Sequence, residues 1–266
     1  ALTDGVIARN QRIEVHSYLE SYNFWPPPLF ILAISIAQIA MFCYDYFHVG
    51  SDSMTACAGC KINGKTGPLV FVPQLKAQAW RFISYQFLHD GFAHLLGNVA
   101  MQCLIGVPLE IVHKSWRIAP LYLLAVLSGS LLQYLFTPAP LIGASAGVYA
   151  LITAHLANVF INWSEMPFRW LRLLVVGAFL LLDLGQSVYT LASDNCQSVS
   201  YSAHIAGAIT GFCCGIFVLY NVVEHTWEKI TRYFCLTAYV TLSIMAIILV
   251  IFRSPPAQPL WLCSLL

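Results

Sequence analysis

The sequence predicts an all-α integral membrane protein, a bundle of seven transmembrane helices. Of its 266 residues, 59% are hydrophobic and only 9% are charged, which leaves too few charges to cover a water-soluble globule. A transmembrane helix takes about 20 mostly apolar residues. Stretches of that kind lie at residues 28–48, 93–112, 118–136, 142–162, 170–190, 201–222 and 233–252.

Basic residues predict how this bundle is oriented. Short segments rich in Lys and Arg tend to stay in the cytosol, and four such segments share one side if the N-terminus is cytosolic. They contain Arg9 and Arg12, Lys114 and Arg117, Arg169 and Arg172, and Lys229 and Arg232. We therefore expect a cytosolic N-terminus and an outer C-terminus. The net charge of +1 gives no reason to expect a nucleic-acid partner.

The spans divide the chain into four parts. We expect a cytosolic arm at residues 1–27, a six-helix core at 28–222, a cytosolic loop with the seventh helix at 223–252, and a short outer tail at 253–266. The core includes an outer, membrane-associated loop at about residues 50–92, called the first loop below.

The first loop contains an amphipathic stretch and a pair of cysteines. Val70-Phe71-Val72 and the segment around Trp80 and Arg81 are amphipathic, which is typical of chain lying in the outer leaflet. Trp80 and Arg81 are then expected as interface anchors, with the arginine extending its charge toward the headgroups. Cys57 and Cys60 form either a disulfide or two free thiols, because no second pair or nearby histidine completes a zinc site.

Polar side chains mark the second span. His94, Asn98 and Gln102 are four residues apart and share one helix face. Polar groups inside a bilayer need a partner or a water-filled cavity. His94 and Asn98 therefore form either a functional site or a hydrogen-bonded packing face, and the neighbouring His89 fits either role. We expect Gln102 to be structural and Gln38, in the first span, to bond another helix.

The fourth span opens with Gly143-Ala-Ser145-Ala-Gly147, directly after Pro138 and Pro140. A helix starting there presents free backbone N–H groups and the positive end of its dipole beside the serine hydroxyl. That environment suits a nucleophile, because an oxyanion formed at Ser145 would meet donors already aimed at it. Glycine and serine in an apolar helix also serve simply for packing. The soluble-hydrolase elbow with this pattern needs a preceding strand and a soluble sheet, and the sequence indicates neither.

The fifth and sixth spans add one carboxylate and one histidine. Asp183 stands alone, whereas an aspartyl site needs two carboxylates sharing a proton, so we interpret Asp183 as a structural hydrogen-bonding group. Gly207, Gly211 and Gly215 repeat every four residues and predict a flat face for close helix packing. His204 lies on that face, three residues before the first of these glycines.

Three polar features fall at one depth. His94, Ser145 and His204 each lie within the first few residues of spans that all run from outside to inside, so they lie within about 10 Å in depth. This arrangement predicts a catalytic pair, with Ser145 as nucleophile and His204 as general base and then acid. His94, Asn98 and the Ser145 backbone N–H would hold the oxyanion, and Tyr149 would stack on the imidazole of His204.

In these residues the chain resembles the rhomboid intramembrane serine proteases. The motifs extend over most of residues 25–252: Trp80-Arg81, His94-x-x-x-Asn98, Gly143-x-Ser145-x-Gly147 with Tyr149, and Ala203-His204-x-x-Gly207-x-x-x-Gly211. Six core spans plus a C-terminal seventh are similar to the animal secretory-pathway branch. Trp25-Pro-Pro-Pro28 and Gly106-Val-Pro-Leu-Glu110 resemble its growth-factor-processing members. One departure is Ala146, where that branch has glycine, and its methyl group is expected near the helix packing and the oxyanion position.

The resemblance implies a serine endopeptidase in the lipid bilayer, without metal or cofactor. It implies cleavage of single-span proteins in or near the outer part of their transmembrane helix, with release of ectodomains. EGF-like growth-factor precursors are the expected substrates, in a Golgi, endosomal or plasma membrane. The resemblance assigns supporting roles to Trp80, Arg81, Gly143, Gly147, Tyr149, Gly207 and Gly211.

Other functions remain to be weighed against this one. A metalloprotease would need His-Glu-x-x-His, which the sequence lacks. A catalytically silent relative that binds membrane clients and controls their trafficking is the first alternative. The second is a seven-span receptor or transporter, in which the polar groups would form a ligand site.

Overall fold

A computed structural model of the chain describes residues 24–50, 61–62, 65–192 and 200–256. Several predictions fall outside this description. They concern the arm up to residue 23, Cys57 and Cys60, the side chain of Asp183, and the tail from residue 257 onward.

Helices dominate the described part of the chain. They are α1 (Leu29–Tyr44), α2 (Arg81–Ser84), α3 (Gly91–Met101), α4 (Val107–His113), α5 (Ser115–Phe136), α6 (Ser145–Ile161), α7 (Arg169–Ala192), α8 (Tyr201–Val218) and α9 (Thr226–Phe252). A π-helical segment, Asp45–Gly50, extends α1, and another, Gln102–Gly106, joins α3 to α4. Short 3₁₀ turns occupy Pro73–Leu75 and Tyr85–Phe87. Two short antiparallel strands, β1 (Lys61–Ile62) and β2 (Lys65–Thr66), lie in the first loop.

The architecture confirms the predicted fold class, an all-α membrane bundle. Five helical segments in the described part are long and apolar enough to cross a membrane: Leu29–Phe47, Gly91–His113, Ser115–Phe136, Tyr201–Val218 and Thr226–Phe252. The π-helical segment keeps α3 and α4 in one continuous span. Helix α7 occupies the predicted fifth span, and α6 is a shorter apolar helix in the fourth.

The fourth span is shorter than predicted. The predicted limits were 142–162, but α6 begins at Ser145 and has 17 residues. Leu141 instead pairs with Phe71 of the first loop through two backbone hydrogen bonds, of 3.2 and 2.9 Å. Gly143 then turns the chain with a φ of 99°, a conformation that side chains with a Cβ rarely adopt. The serine therefore stands at the helix start itself, after a bridge and a turn.

Small residues bring α6 and α8 into backbone contact. A Cβ added at Gly207 would lie 2.2 Å from the carbonyl oxygen of Ala146, and one at Gly211 would lie 2.2 Å from that of Ala150. No side chain fits at such distances. The glycine repeat thus gives the close packing that its spacing predicts, and it fixes α8 against the helix that begins with Ser145.

The first loop differs from its prediction in one important respect. Arg81 does not extend its charge toward lipid headgroups: it is 5% exposed, and its guanidinium donates to Gln78 Oε1, the Gly67 carbonyl and the Val70 carbonyl, each at 2.6 Å. The physical reason is that an irregular loop leaves carbonyls without backbone donors, and a guanidinium has five N–H groups to give. Trp80 is 55% exposed, as an interface residue would be.

The apolar part of the loop is also enclosed by protein. Val70, Phe71 and Val72 are buried, and the Phe71 ring packs edge-on against Phe82 with ring centres 4.8 Å apart. These three side chains thus contact protein, and the position of the stretch at the level of the outer leaflet stays a prediction. The backbone pairing of Phe71 with Leu141 joins this stretch to the segment that leads to Ser145.

Buried polar side chains tie the remaining helices together. Gln38 of α1 donates to Gln102 Oε1 at 3.3 Å and to the Tyr122 hydroxyl at 3.2 Å, which confirms the predicted helix–helix hydrogen bond. The carboxylate of Glu110 accepts the backbone N–H groups of Phe30 and Ile31 at 2.7 and 2.9 Å. It thereby caps the N-terminus of α1, where a negative charge is stabilised by the helix dipole.

The last helix is attached to the first loop. Lys76 Nζ donates to the carbonyls of Val250, Ile251 and Arg253 at 2.7, 3.1 and 2.9 Å, and the Tyr134 hydroxyl donates to Arg253 at 2.6 Å. The last carbonyls of a helix lack partners within it. A lysine and a tyrosine from two other elements supply those partners for α9.

Candidate active site

Ser145 and His204 are in direct contact. Ser145 is the first residue of α6, and His204 lies in the first turns of α8; His204 Nε2 is 2.9 Å from Ser145 Oγ. This is a normal hydrogen-bond distance, at which a neutral imidazole nitrogen can accept the proton of a hydroxyl. The close packing of α6 on α8 at Gly207 holds the two side chains together.

Two glycines of the serine motif make room for aromatic rings. A Cβ at Gly147 would lie 2.3 Å from the Tyr122 ring, and one at Gly143 would lie 2.8 Å from Cε1 and 3.0 Å from Nε2 of His94. Tyr122 thus packs directly against the first turn of α6, and His94 packs directly against the turn that precedes Ser145. The glycine positions are therefore fixed by what they contact as well as by backbone conformation.

Tyr149 stacks on the imidazole of His204. The ring centres are 4.3 Å apart and the planes are inclined by 19°. Tyr149 is one helical turn after Ser145, so the same helix carries the hydroxyl and the ring that orients the imidazole. Parallel stacking at this distance restricts rotation of the histidine ring and keeps Nε2 directed at Ser145.

His94 presents a ring N–H beside the serine turn. Its Nδ1 accepts the backbone N–H of Asp90 at 3.2 Å, so the ring hydrogen of the neutral form is assigned to Nε2. Nε2 is the nitrogen that lies against Gly143. A donor in this position faces the start of α6, where the backbone N–H groups of the first turn also lack partners within the helix.

Asn98 lies one turn further along the same helix. It is 7% exposed, and its Nδ2 donates to the backbone carbonyl of His94 at 2.9 Å. The Asn98 amide thus bonds the backbone of its own helix. Of the residues that the sequence selects, Ser145, His204, Tyr149, His94 and Gly143 form one contiguous group. Trp80 and Arg81 organise the first loop.

His89 is a further histidine next to this group. Its ring centre is 5.2 Å from that of His94, and its side chain is 2% exposed. Burial, and to a lesser extent the neighbouring His94, lowers the pKa of His89 to about 3. His89 is therefore neutral across the physiological pH range.

The methyl group of Ala146 is accommodated by a glycine of α5. Ala146 is 1% exposed, and a Cβ added at Gly129 would lie 2.9 Å from the Ala146 Cβ. The space that Gly129 leaves is thus filled by the residue after the serine. This pairing could not be found from sequence, because the two residues are neighbours only in the folded bundle.

Metal ligands do not cluster in the described part of the chain. Among residues 24–50, 61–62, 65–192 and 200–256, no group of three His, Cys, Asp or Glu side chains could hold a metal ion.

Comparisons with known proteins agree on one family. The Rhomboid domain model matches residues 76–221. The chain is 52% identical over 266 residues to "Rhomboid-related protein 1" of Caenorhabditis elegans, covering 98% of this chain and 75% of that protein. It is 39% identical over 246 residues to "Rhomboid-related protein 2" of Mus musculus, covering 90% and 80%. It is also 31% identical over 259 residues to "Inactive rhomboid-related protein 2" of Caenorhabditis elegans, covering 96% and 70%.

Proposed function

The chain belongs to the rhomboid family, and from this premise we propose that it is an active intramembrane serine protease. The observation that carries the proposal is the contact of 2.9 Å between Ser145 Oγ and His204 Nε2, with Tyr149 stacked on the imidazole. A nucleophile within hydrogen-bond reach of a base, which is itself oriented by a third group, is the arrangement that acyl transfer requires.

The reaction follows from this geometry in two stages. His204 takes the proton of the Ser145 hydroxyl as Oγ attacks the scissile carbonyl, which forms a tetrahedral oxyanion. The oxyanion collapses, the C–N bond breaks, and His204 gives its proton to the departing amine. Water then attacks the acyl-enzyme with His204 again as base, which releases the second product and restores the serine.

The oxyanion is stabilised at the start of α6. The Ser145 backbone N–H and His94 Nε2–H are the donors beside the nucleophile. The second N–H of the Asn98 amide, the one not bonded to the His94 carbonyl, completes the set. The positive end of the α6 dipole adds to the stabilisation. Donors fixed in place before the reaction stabilise a developing charge without reorganisation, which is why their removal typically costs about 10²–10³ in rate.

A catalytically silent member that binds membrane clients is the main alternative. The similarity to a relative named inactive gives that alternative a specific basis. Against it, this chain retains both the serine and the histidine, at hydrogen-bond distance from each other. A receptor or transporter would have no need for these two side chains to be in contact.

We further propose the topology and the substrate class. The N-terminus is cytosolic, and Ser145 faces the lumen or exterior of a secretory-pathway membrane; the basic segments of the sequence support this orientation. The substrates are single-span proteins, cut in or near the outer part of their transmembrane helix so that the ectodomain is released. EGF-like growth-factor precursors are the proposed clients, on the resemblance of the sequence to the growth-factor-processing members.

Labelling with a serine-reactive fluorophosphonate tests the enzyme assignment. Purified protein in detergent is expected to label covalently, while Ser145→Ala and His204→Ala are expected neither to label nor to cleave a transmembrane substrate. Both variants should match the wild type in size-exclusion profile and melting temperature, because neither side chain fills the core. Absence of labelling in well-folded wild-type protein would favour the client-binding alternative, and cleavage by purified Ser145→Ala would rule out the mechanism.

A further inference from the structure

Gln133 is a buried amide near the C-terminal end of α5. Its side chain is 1% exposed and lies among apolar residues of that helix. A buried amide costs free energy unless its donor and acceptor atoms are satisfied. The partners that satisfy Gln133 come from two other parts of the chain.

Three hydrogen bonds fix the amide. The hydroxyls of Ser200 and Ser202 both donate to Oε1, each at 2.5 Å, and Nε2 donates to the Ala139 carbonyl at 3.0 Å. Two donors occupy both lone pairs of the amide oxygen. Both the oxygen and the nitrogen of the Gln133 amide are thereby bonded, so its orientation is fixed relative to α5.

The partners lie next to the two residues of the proposed catalytic pair. Ala139 belongs to the segment between α5 and α6, six residues before Ser145. Ser200 is the cap residue of α8, and its carbonyl accepts the His204 backbone N–H at 3.2 Å. One amide thus connects the segment that leads into Ser145 with the helix turn that carries His204.

The bond from Ser200 replaces the one that its position favours. A serine at a helix N-cap usually accepts a hydrogen bond from a backbone N–H of the first turn. Ser200 makes no such bond to its own helix and donates to Gln133 instead. The start of α8 is therefore tied to α5 at the cost of local capping.

We propose that Gln133 is a positioning residue, which sets the separation between His204 and Ser145 by holding the start of α8 to the segment before α6. The proposal rests on the protease function proposed above. At 2.9 Å the contact between Oγ and Nε2 leaves little tolerance, since a displacement of about 1 Å takes the pair out of hydrogen-bond range.

The test measures turnover per intact active site. Wild type, Gln133→Met, Ser200→Ala/Ser202→Ala and Asn162→Leu are purified and titrated with a fluorophosphonate. For each protein, KM for a transmembrane substrate is measured, and kcat is calculated per titrated site. Asn162 is the matched control, because it is an amide 0% exposed that bonds Tyr220 and Val222 and so joins the opposite ends of the same two helices, after α6 and after α8.

The proposal expects kcat per titrated site to fall in both variants that break the contact. Misplacement of this size costs up to about 100-fold, so Gln133→Met should lose about 10- to 100-fold with KM within about twofold. The serine pair should lose a similar factor, and combining the changes should add little. Asn162→Leu should lower the melting temperature and leave kcat per site at the wild-type value.

The possible failures are distinguishable. Wild-type protein that neither labels nor cleaves contradicts the protease function itself. An active wild type with unchanged kcat per site in Gln133→Met contradicts the positioning role. If Gln133→Met does not fold, the serine pair decides, since both serines are half-buried and their replacement removes only two hydroxyls; wild-type turnover in that variant contradicts the proposal.

Discussion

At the scale of single residues, His94 and Asn98 are expected to contribute unequally. His94 Nε2 lies against the turn before Ser145, while Asn98 donates to the carbonyl of its own helix. His94→Ala should therefore lower kcat by about 10²–10³, the cost of one oxyanion donor, and Asn98→Ala should lower it less. Single-turnover cleavage in proteoliposomes measures both effects. Equal turnover of His94→Ala and wild type would show that the oxyanion lies elsewhere.

His89 is expected to make the stability of the folded protein sensitive to acid. Its pKa is about 3 in the folded protein, because burial and then His94 oppose its charge, against an ordinary value near 6.5. Below pH 6.5 the unfolded chain therefore binds a proton that the folded chain does not, and stability falls as the pH is lowered toward 3. In thermal scans from pH 7 to pH 4, the melting temperature of His89→Gln should fall less steeply than that of wild type. Parallel curves would contradict this origin of acid sensitivity.

Single residues also show how far a sequence can predict a site. Ser145, His204 and His94 were found because each is polar, near a span end and at one depth. Gln133 and Gly129 were not, since their roles depend on Ala139, Ser200 and Ala146, which meet them only in the folded bundle. The amphipathic segment around Arg81 predicts a contact with lipid headgroups. Its partners in the structure include backbone carbonyls of the loop, and a sequence does not indicate which carbonyls are free to accept.

At the scale of elements, the contact between α6 and α8 controls the site. Gly207 and Gly211 stand where an added Cβ would lie 2.2 Å from backbone oxygens of α6, whereas a Cβ at Gly97 meets nothing within 4 Å. Gly207→Val or Gly211→Val should push α8 away and lower turnover about 100-fold, the cost of misplacement by an ångström. Gly97→Val carries the same change in helix propensity without the clash, and it should retain activity in a reconstituted assay. Comparable turnover in all three variants would exclude this mechanism.

Hydrophobic length and composition predict the elements well where helices cross the bilayer. The predicted ends of helices are less accurate where hydrogen bonds to other parts of the chain compete with those of the helix. The start of α6 is an example, because Leu141 pairs with Phe71 and Gly143 turns the chain. Glu110 is a second example of what a sequence leaves undetermined. A carboxylate in an apolar stretch indicates that a partner exists, but it does not indicate that the partner is the N-terminus of α1.

At the scale of the whole molecule, the position of Ser145 predicts where a substrate is cut. Ser145 starts its helix, so the proposed site lies toward the outer part of the membrane, where water can reach it. A substrate helix has to unwind there, which is cheapest at Gly, Pro or polar residues. We expect cleavage in or just outside the outer third of the substrate span, after a small residue. Mass spectrometry of the new C-terminus of the released ectodomain measures this, and a terminus in the cytosolic half would contradict the proposed orientation or site.

The attachment of α9 to the first loop also affects the order in which contacts form during synthesis. Lys76 precedes Val250, whose carbonyl it binds, by 174 residues. At about 5–20 residues per second of synthesis, the lysine leaves the ribosome roughly 10–35 s before its partners exist. During that interval the loop that pairs with the segment before Ser145 is already made, but its ammonium group has no helix end to bind. The first loop thus gains these bonds to α9 only after that helix has been translated and inserted.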